Sequence, residues 1–166
     1  MLQDYLPQPN ELPYRNRTER MEIGDCGELY CERNMYCLTC EKKEWNNLNN
    51  TKRNIIGVDL QCRNCNEYLQ VKTVQEQPNG TCVIKQTSKN SLWWDDVIIP
   101  SFTKTLRRTL NAYHNNIRYC YIVYKQLSRL RRKIQYIAIT EPLTSKNICR
   151  GAKAIRARKM KWVYRK

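Results

Sequence analysis

The chain has 166 residues, of which 41% are hydrophobic, and it carries a formal net charge of +15. This apolar content suffices for one hydrophobic core but not for two, so we expect a single folded domain. No segment approaches the roughly 18 consecutive apolar residues of a transmembrane helix, and residues 1–13 are polar and proline-rich, unlike a signal peptide. We therefore expect neither an integral membrane protein nor a secreted one.

The charge is distributed unevenly along the chain. Residues 1–80 contain 10 Lys and Arg against 12 Asp and Glu, whereas residues 81–166 contain 20 against 3. A basic half of this size is typical of a protein that binds a polyanion. Nucleic acid is the partner that we expect first and an anionic membrane surface the second, while a solvated basic face is the alternative without a ligand.

The beginning of the chain predicts an arm, a helix and a loop. Residues 1–15 contain three prolines and are predicted to form an extended arm. The apolar spacing between residues 16 and 34 favours one helix, although Gly24 and Gly27 interrupt it. Residues 41–53 are polar and rich in asparagine, and we interpret them as a loop.

Strands and one helix are predicted next. Two short strands are expected at residues 54–60 and 67–74, and another begins at residues 82–85 after a Pro-Asn-Gly turn. Residues 100–115 place apolar side chains on one face of a predicted helix. Two β-rich apolar runs follow at residues 118–124 and 134–139, joined by a basic connection.

The end of the chain adds a candidate short helix at residues 144–153 and then a basic tail. Together the elements predict one domain over residues 16–150, of the α+β or α/β class, followed by the tail at residues 151–166. Its core would be a mixed sheet flanked by helices.

Four of the nine cysteines form two C-x2-C pairs, Cys37 with Cys40 and Cys62 with Cys65. Four thiolates in a tetrahedron are the usual ligands of structural zinc. The 21 residues between the pairs are close to the usual separation for this arrangement. We therefore predict a closed, structural Zn2+ site, with four free thiols as the alternative. Metal-binding pairs indicate a reducing, intracellular compartment: the cytoplasm, the nucleus, an organelle interior or a virion.

The remaining cysteines and the one histidine lack this spacing. Cys26 and Cys31 are not predicted to be metal ligands, and a second metal ion at this pair is the alternative. Cys120 lies in an apolar run and is interpreted as a small buried hydrophobic residue. His114 ends the predicted helix and is interpreted as a surface or capping residue.

Asp59, Gln70 and Lys72 flank the second cysteine pair. In a hairpin centred between Arg63 and Asn64, Asp59 and Gln70 are two residues out of register, an offset that a knuckle or bulge absorbs. Gln70 and Lys72 project from one face of a strand because side chains alternate. An acid, an amide and an amine together suit phosphodiester hydrolysis with Mg2+; the alternative is three ordinary exposed strand residues.

The segment GVDLQCRNCNEYLQVKT, residues 57–73, resembles the catalytic hairpin of the DpnI-type restriction endonucleases. These enzymes belong to the PD-(D/E)xK nuclease fold. The upstream YCLTC, residues 36–40, is similar to their first zinc knuckle, and the likeness extends more loosely over residues 16–150. One departure is Gln70, where the enzyme has Glu, which removes a negative charge from the metal site.

The resemblance implies a restriction-endonuclease-like mixed sheet with a zinc-ribbon-like insertion, and Mg2+-dependent cleavage of double-stranded DNA. Asp59 and Gln70 would then hold Mg2+, with Lys72 orienting water and phosphate. The added winged-helix domain of the DpnI type is not expected here, so methyl specificity is not carried over. Basic residues would contact phosphates: Lys104, Arg107, Arg108, Arg129, Arg131, Arg132 and Lys133.

Two other functions remain open at this stage. A zinc protein without catalysis, in a ribosome, transcription complex or virion, would use the same basic half to bind nucleic acid, with RNA as its partner. A membrane-surface protein is the third possibility, although a long apolar helix face is missing from the sequence.

Overall fold

A computed structural model describes residues 3–13, 17–50, 58–76, 78, 116–140 and 142. It also describes the backbone of three further strands, at residues 84–87, 90–92 and 160–165. The predicted helices at residues 100–115 and 144–153 lie outside the described residues, as do His114, Cys82 and Cys149. In the described part of the chain, no helix is long and apolar enough to cross a membrane.

A six-stranded mixed sheet forms the centre of the described structure, in the order β1-β2-β3-β6-β7-β8. Its strands are β1 (Trp45–Asn47), β2 (Leu60–Cys62), β3 (Tyr68–Gln75), β6 (Ile117–Gln126), β7 (Arg132–Thr140) and β8 (Met160–Arg165). A separate two-stranded sheet consists of β4 (Ile84–Thr87) and β5 (Asn90–Leu92). β3 and β6 are parallel, and the other pairs are antiparallel. The predicted mixed sheet of an α+β protein is thereby confirmed.

The helix α1 (Glu19–Asn34) covers one face of this sheet. It begins three residues later than predicted because Thr18 caps it: Oγ1 of Thr18 accepts a hydrogen bond from the backbone N of Met21 at 3.4 Å. Gly27 lies where α1 passes closest to β3, since a Cβ at this position would overlap Oγ1 of Thr73. The glycine that weakens the helix pattern is therefore the residue that lets helix and sheet approach.

The hydrophobic core lies between α1 and the sheet. Each fully buried large apolar side chain contributes about 1.5–3 kcal/mol to the free energy of unfolding. From α1 and the residues that follow it, the core contains Tyr30, Cys31 and Met35; from the sheet it contains Leu60, Leu69, Val71, Cys120, Ile122, Tyr124, Ile134, Ile137 and Ile139. Cys120 is fully buried, as predicted.

The asparagine-rich segment is not a loop throughout, and that prediction is wrong. Trp45–Asn47 form the strand β1, and Leu48–Asn50 form a 3-10 turn. Trp45 drives this outcome: its side chain is buried, and its Nε1 donates to the carbonyl of Met35 at 2.9 Å. Burial of one tryptophan outweighs the low strand propensity of its neighbours.

The N-terminal arm docks on the sheet rather than extending away from it. The backbone N of Leu6 donates to the carbonyl of Arg132 at 3.0 Å, and the backbone N of Ile134 donates to the carbonyl of Asp4 at 2.8 Å. The Leu6 side chain belongs to the core. Further on, Pro9–Glu11 form a 3-10 turn.

The segment predicted as a basic tail contains the strand β8, so it is not entirely a tail. β8 pairs antiparallel with β7, from Thr140 opposite Met160 to Tyr136 opposite Arg165. The sequence MKWVYR places two aromatic residues and a valine between Lys161 and Arg165, a composition that favours a strand once a partner edge is present.

Candidate metal centre and acidic site

The two cysteine pairs form turns with the same backbone geometry. In the first, Cys37 donates its backbone N–H to the carbonyl of Lys42 at 2.8 Å and accepts from the N–H of Glu41 at 2.9 Å. In the second, Cys62 makes the equivalent bonds with Glu67 at 2.8 Å and Asn66 at 3.0 Å. Glu41 and Asn66 occupy corresponding positions, and both have positive φ, 59° and 57°. The two cysteine turns therefore have the same knuckle conformation.

The four sulfur atoms of these knuckles lie within 4.8 Å of one another. Sγ of Cys37 is 3.4 Å from Sγ of Cys65, and Sγ of Cys40 is 3.5 Å from Sγ of Cys62. A tetrahedral zinc ion with Zn–S bonds of about 2.3 Å separates its sulfur ligands by roughly 3.8 Å. Four thiols at this spacing fit a closed zinc site, and the separations are far too long for disulfides.

Burial and the backbone of the knuckles change the pKa values of the cysteine thiols. Burial raises the pKa of the Cys37 thiol. Burial acts in the same direction at Cys62, but hydrogen bonds from the backbone N–H groups of Cys65 and Asn64 outweigh it, so the pKa of this thiol is lowered. Backbone N–H groups aimed at a sulfur stabilise the thiolate, which is the form that binds a metal.

A buried ion pair connects the metal centre to the middle of the sheet. Glu67 is 1% exposed, and Oε1 of its carboxylate lies 3.6 Å from Sγ of Cys37. Its Oε2 accepts from Nε of Arg118 at 3.0 Å and from the hydroxyl of Thr39. Arg118 also donates to the carbonyl of Thr140 at 3.3 Å. One side chain on β6 therefore contacts the strand β7 and holds the carboxylate beside the first knuckle.

Asp59 faces Gln70 across the hairpin. Leu60 pairs with Leu69 and Gln61 with Tyr68, a register that places Asp59 opposite Gln70. The turn is centred one position later than the simplest hairpin predicts, because Asn66 in its left-handed conformation extends the knuckle. The predicted neighbours are thus brought together by the second cysteine turn itself.

Gln70 and Lys72 complete the predicted constellation. Nε2 of Gln70 donates to Oδ2 of Asp59 at 2.5 Å, and the backbone N of Val71 donates to the same oxygen at 2.7 Å. Lys72 is exposed, two positions along β3 from Gln70. Burial raises the pKa of Asp59, against the Val71 hydrogen bond and the positive charge of Lys72, which act to lower it. The lysine is therefore close enough to Asp59 to influence its charge.

Glu28 of α1 adds a second carboxyl group that the sequence analysis did not predict. Nδ2 of Asn49 donates to Oε2 of Glu28 at 2.8 Å, and the Asn49 side chain also hydrogen-bonds Asp59. Burial, and then the nearby charge of Asp59, raise the pKa of Glu28 to about 8. Glu28 and Asp59 are each 9% exposed. Two buried carboxyl groups with an amide beside them are a donor set that a hard divalent cation binds.

One pattern in the sequence could have indicated Glu28. α1 carries Asp25 and Glu28 three positions apart, on a helix that must pack against a sheet. Buried acids on such a face are unusual unless they are paired. Asp25 is paired with Arg17, at 2.8 Å and 3.1 Å, whereas Glu28 faces Asn49 and Asp59.

The basic residues that are predicted to contact phosphates differ in their exposure to solvent. Arg129 and Arg131 are exposed and Lys133 is half-buried, all near the turn between β6 and β7. Arg132 is 2% exposed, and its Nε donates to Oε1 of Gln126 at 3.2 Å. We therefore no longer assign Arg132 to phosphate contact, because its guanidinium is used inside the hairpin. Lys104, Arg107 and Arg108 lie outside the described residues.

The chain matches no protein-family model and no curated protein. The resemblance to the DpnI-type nucleases consequently stays a prediction. Two groups of described residues carry the chemistry of the candidate site: the four cysteines, and Glu28, Asp59, Gln70 and Lys72.

Proposed function

We propose that this protein is a Mg2+-dependent endonuclease of the PD-(D/E)xK type that cleaves duplex DNA, with a structural zinc centre. The observation that carries the proposal is the hydrogen-bonded pair formed by Asp59 and Gln70 across the hairpin. Lys72 follows two residues after Gln70 on the same strand. A carboxylate, an amide and an ammonium group at one end of a hairpin are the groups that phosphodiester hydrolysis requires.

Each residue has a distinct role in this proposal. Asp59 and Glu28 supply carboxylate oxygens, and Gln70, whose nitrogen is turned towards Asp59, supplies its amide oxygen. A bound Mg2+ would polarise the phosphate and acidify a water molecule. Lys72 is exposed beside this group, so its ammonium can position the attacking water and stabilise charge on the phosphate oxygens.

The zinc centre has a structural role, since four thiolates leave no position open for water. Because Cys62 ends β2 and Cys65 lies just before β3, zinc binding would fix the hairpin that carries Asp59 and Gln70. The basic second half of the chain, with 20 Lys and Arg against 3 Asp and Glu, supplies the attraction to a polyanion.

The test is cleavage of duplex DNA, methylated and unmethylated, with Mg2+ or Mn2+. Replacement of Lys72 by Ala should lower cleavage by a factor on the order of 100, the scale for losing a preorganised charge. Asp59→Asn should abolish it. Neither change should reduce zinc content, and Lys72→Ala should leave duplex binding nearly unchanged.

Lys42→Ala is the matched control, because it removes an equally exposed lysine beside the first knuckle. It should cleave like the unmodified protein. Equal cleavage by Lys72→Ala and Lys42→Ala would show that the assigned site is wrong.

A second candidate is a zinc-dependent nucleic-acid-binding protein without catalytic activity. The observation that favours it is Gln70, whose amide nitrogen satisfies Asp59 directly, so the acidic group is hydrogen-bonded without a metal ion. Salt-sensitive binding to DNA or RNA without cleavage by any metal would support this candidate and contradict the nuclease.

A further inference from the structure

The loop between β6 and β7 exposes two leucines. Leu127 and Leu130, within residues 127–131, are 47% and 51% exposed. In the described part of the chain, the other large hydrophobic side chains this exposed are Met21 and Tyr36, which lie on α1 and just after it. We call residues 127–131 the leucine loop.

The backbone of the leucine loop is closed by its own hydrogen bonds. The N–H groups of Leu127 and Ser128 both donate to the carbonyl of Arg131, at 2.9 Å and 3.2 Å. The N–H of Arg131 donates back to the carbonyl of Ser128 at 3.3 Å. The loop therefore has a defined shape rather than being a simple connection.

Two side chains beneath the loop hold it from the inside. Nη2 of Arg132 and Nε2 of Gln126 both donate to the carbonyl of Arg129, at 3.4 Å and 3.3 Å. Gln126 also donates to the carbonyl of Ser128. A buried arginine therefore supports this surface loop, and it preorganises the side chains that the loop exposes.

The loop displays positive charge together with its leucines. Arg129 and Arg131 are exposed. The guanidinium of Arg131 lies 4.7 Å from the ring centre of Tyr5 and donates to its hydroxyl at 2.9 Å. Apolar side chains flanked by arginines are the combination with which proteins enter the minor groove: the arginines contact phosphates, and the apolar groups contact or separate base steps.

The position of the loop also fits a duplex bound at the acidic site. Lys72 pairs with Tyr121 on β6, and the leucine loop follows Gln126, five residues further along that strand. Five strand residues span about 17 Å. For a duplex whose axis runs parallel to β6, this distance corresponds to about five base pairs.

We propose that the leucine loop inserts Leu127 and Leu130 into the minor groove of duplex DNA, about five base pairs from the phosphate bound at Lys72. The distance rests on the proposed nuclease function. The binding of the loop to DNA does not, and the experiment separates the two.

The experiment measures duplex binding by the cleavage-disabled Asp59→Asn protein without and with Leu127→Ser and Leu130→Ser together. The duplex carries 2-aminopurine at successive positions, whose fluorescence rises when a base is unstacked. The double serine variant should bind roughly tenfold more weakly or worse, with an unchanged salt slope, and should lose the fluorescence rise. Arg129→Ala with Arg131→Ala should instead reduce the salt slope by about two.

Met21→Ser is the control, since it changes a hydrophobic side chain that is 49% exposed elsewhere. It should bind duplex like its parent. The double serine variant and the Met21 variant should keep the unfolding temperature of their Asp59→Asn parent, because the two leucines and Met21 are exposed.

Each outcome has a clear meaning. Equal duplex affinity with and without the leucines would overturn the proposal, even if the unmodified protein cleaves DNA. Leucine-dependent binding to vesicles containing phosphatidylserine, with unchanged duplex binding, would overturn it in favour of a membrane partner. Leucine-dependent duplex binding by a protein that cleaves nothing would support the loop proposal and contradict the nuclease.

Discussion

Glu28 and Asp59 are buried carboxyl groups that share the side chain of Asn49. Burial raises the pKa of both carboxyl groups, and the nearby charge of Asp59 raises the pKa of Glu28 further. The apo site is therefore most stable with a proton on this pair. A divalent cation would take over the role of that proton.

The free energy of unfolding should therefore fall as the pH rises from 5 to 8 in the absence of divalent metal. In this range Glu28 keeps its proton in the folded state, where its pKa is about 8, while an unfolded glutamate, with a pKa of about 4.3, has lost it. The unfolded state then binds fewer protons, so a rise in pH favours unfolding, by at most a few kcal/mol in total. Urea unfolding at each pH measures this.

Glu28→Gln should flatten the pH dependence, and saturating Mg2+ should do the same in the unmodified protein. Glu44→Gln is the control, because Glu44 is exposed and lies outside the acidic group. A pH profile that is the same for the Glu28 and Glu44 variants would contradict the assignment of the buried proton to this site.

At the residue scale, the sequence predicts which residues are neighbours in the hairpin, but it does not predict that a residue of α1 joins them. Asp59, Gln70 and Lys72 follow from strand alternation and a turn of known type, both of which are local. Glu28 joins them only because α1 folds back onto β3, a contact between distant segments that no local pattern encodes. The burial of Arg132 is equally invisible to a local pattern, since it depends on the arm and the hairpin.

At the scale of elements, the distance between α1 and β3 determines whether Glu28 reaches Asp59. Gly27 precedes Glu28. A Cβ added at Gly27 would overlap Oγ1 of Thr73 and lie 3.2 Å from the Cβ of Thr73. Thr73 is on β3, one position beyond Lys72. Helix and strand therefore touch through a glycine next to the acidic site.

Gly27→Ala should lower the free energy of unfolding by about 2 kcal/mol or more, because α1 must shift away from the sheet. It should also lower DNA cleavage, since the shift moves Glu28. Gly24→Ala is the matched control: nothing lies within 4 Å of a Cβ at this position. That change should raise the free energy of unfolding by about 0.5–1 kcal/mol, the gain of alanine over glycine in a helix. Urea unfolding of both variants checks this, and losses of equal size would contradict the close approach.

The elements that can be predicted well from the sequence are those whose own side chains are apolar enough to be buried. β6 and β7 are rich in β-branched and aromatic residues, and their existence follows from composition. β1, β8 and the docked arm form because a partner edge is available, so their polar or basic sequences are overridden by pairing.

At the scale of the whole molecule, the two cysteine knuckles lie at the junction of the parts that carry the site. The first knuckle follows α1, and the second joins β2 to β3. Glu67 and Arg118 extend the connection to β6 and β7 through a buried ion pair. Removal of one partner from such a pair leaves an uncompensated buried charge, which destabilises by about 3–5 kcal/mol. The metal centre and the acidic site thus share one support.

Removal of zinc should therefore unfold the site and not merely empty the centre. Without a metal ion to join the four sulfur atoms, the register that sets Asp59 against Gln70 loses the support of its turn. We expect one zinc per chain by elemental analysis, loss of near-UV circular dichroism on chelation, and loss of duplex cleavage that zinc restores, because metal binding energy is folding energy in sites of this kind.

Cys65→Ser should lose the zinc and show the same unfolding without chelator. Cys26→Ser changes a buried cysteine of α1 outside the four-thiol group, so it should keep one zinc per chain although its free energy of unfolding falls by about 1–3 kcal/mol, the effect of burying a hydroxyl. A metal-free protein with an unchanged unfolding midpoint would show that the knuckles do not support the fold. In that event the register of Asp59 and Gln70 would have to be maintained by β3 and β6 alone.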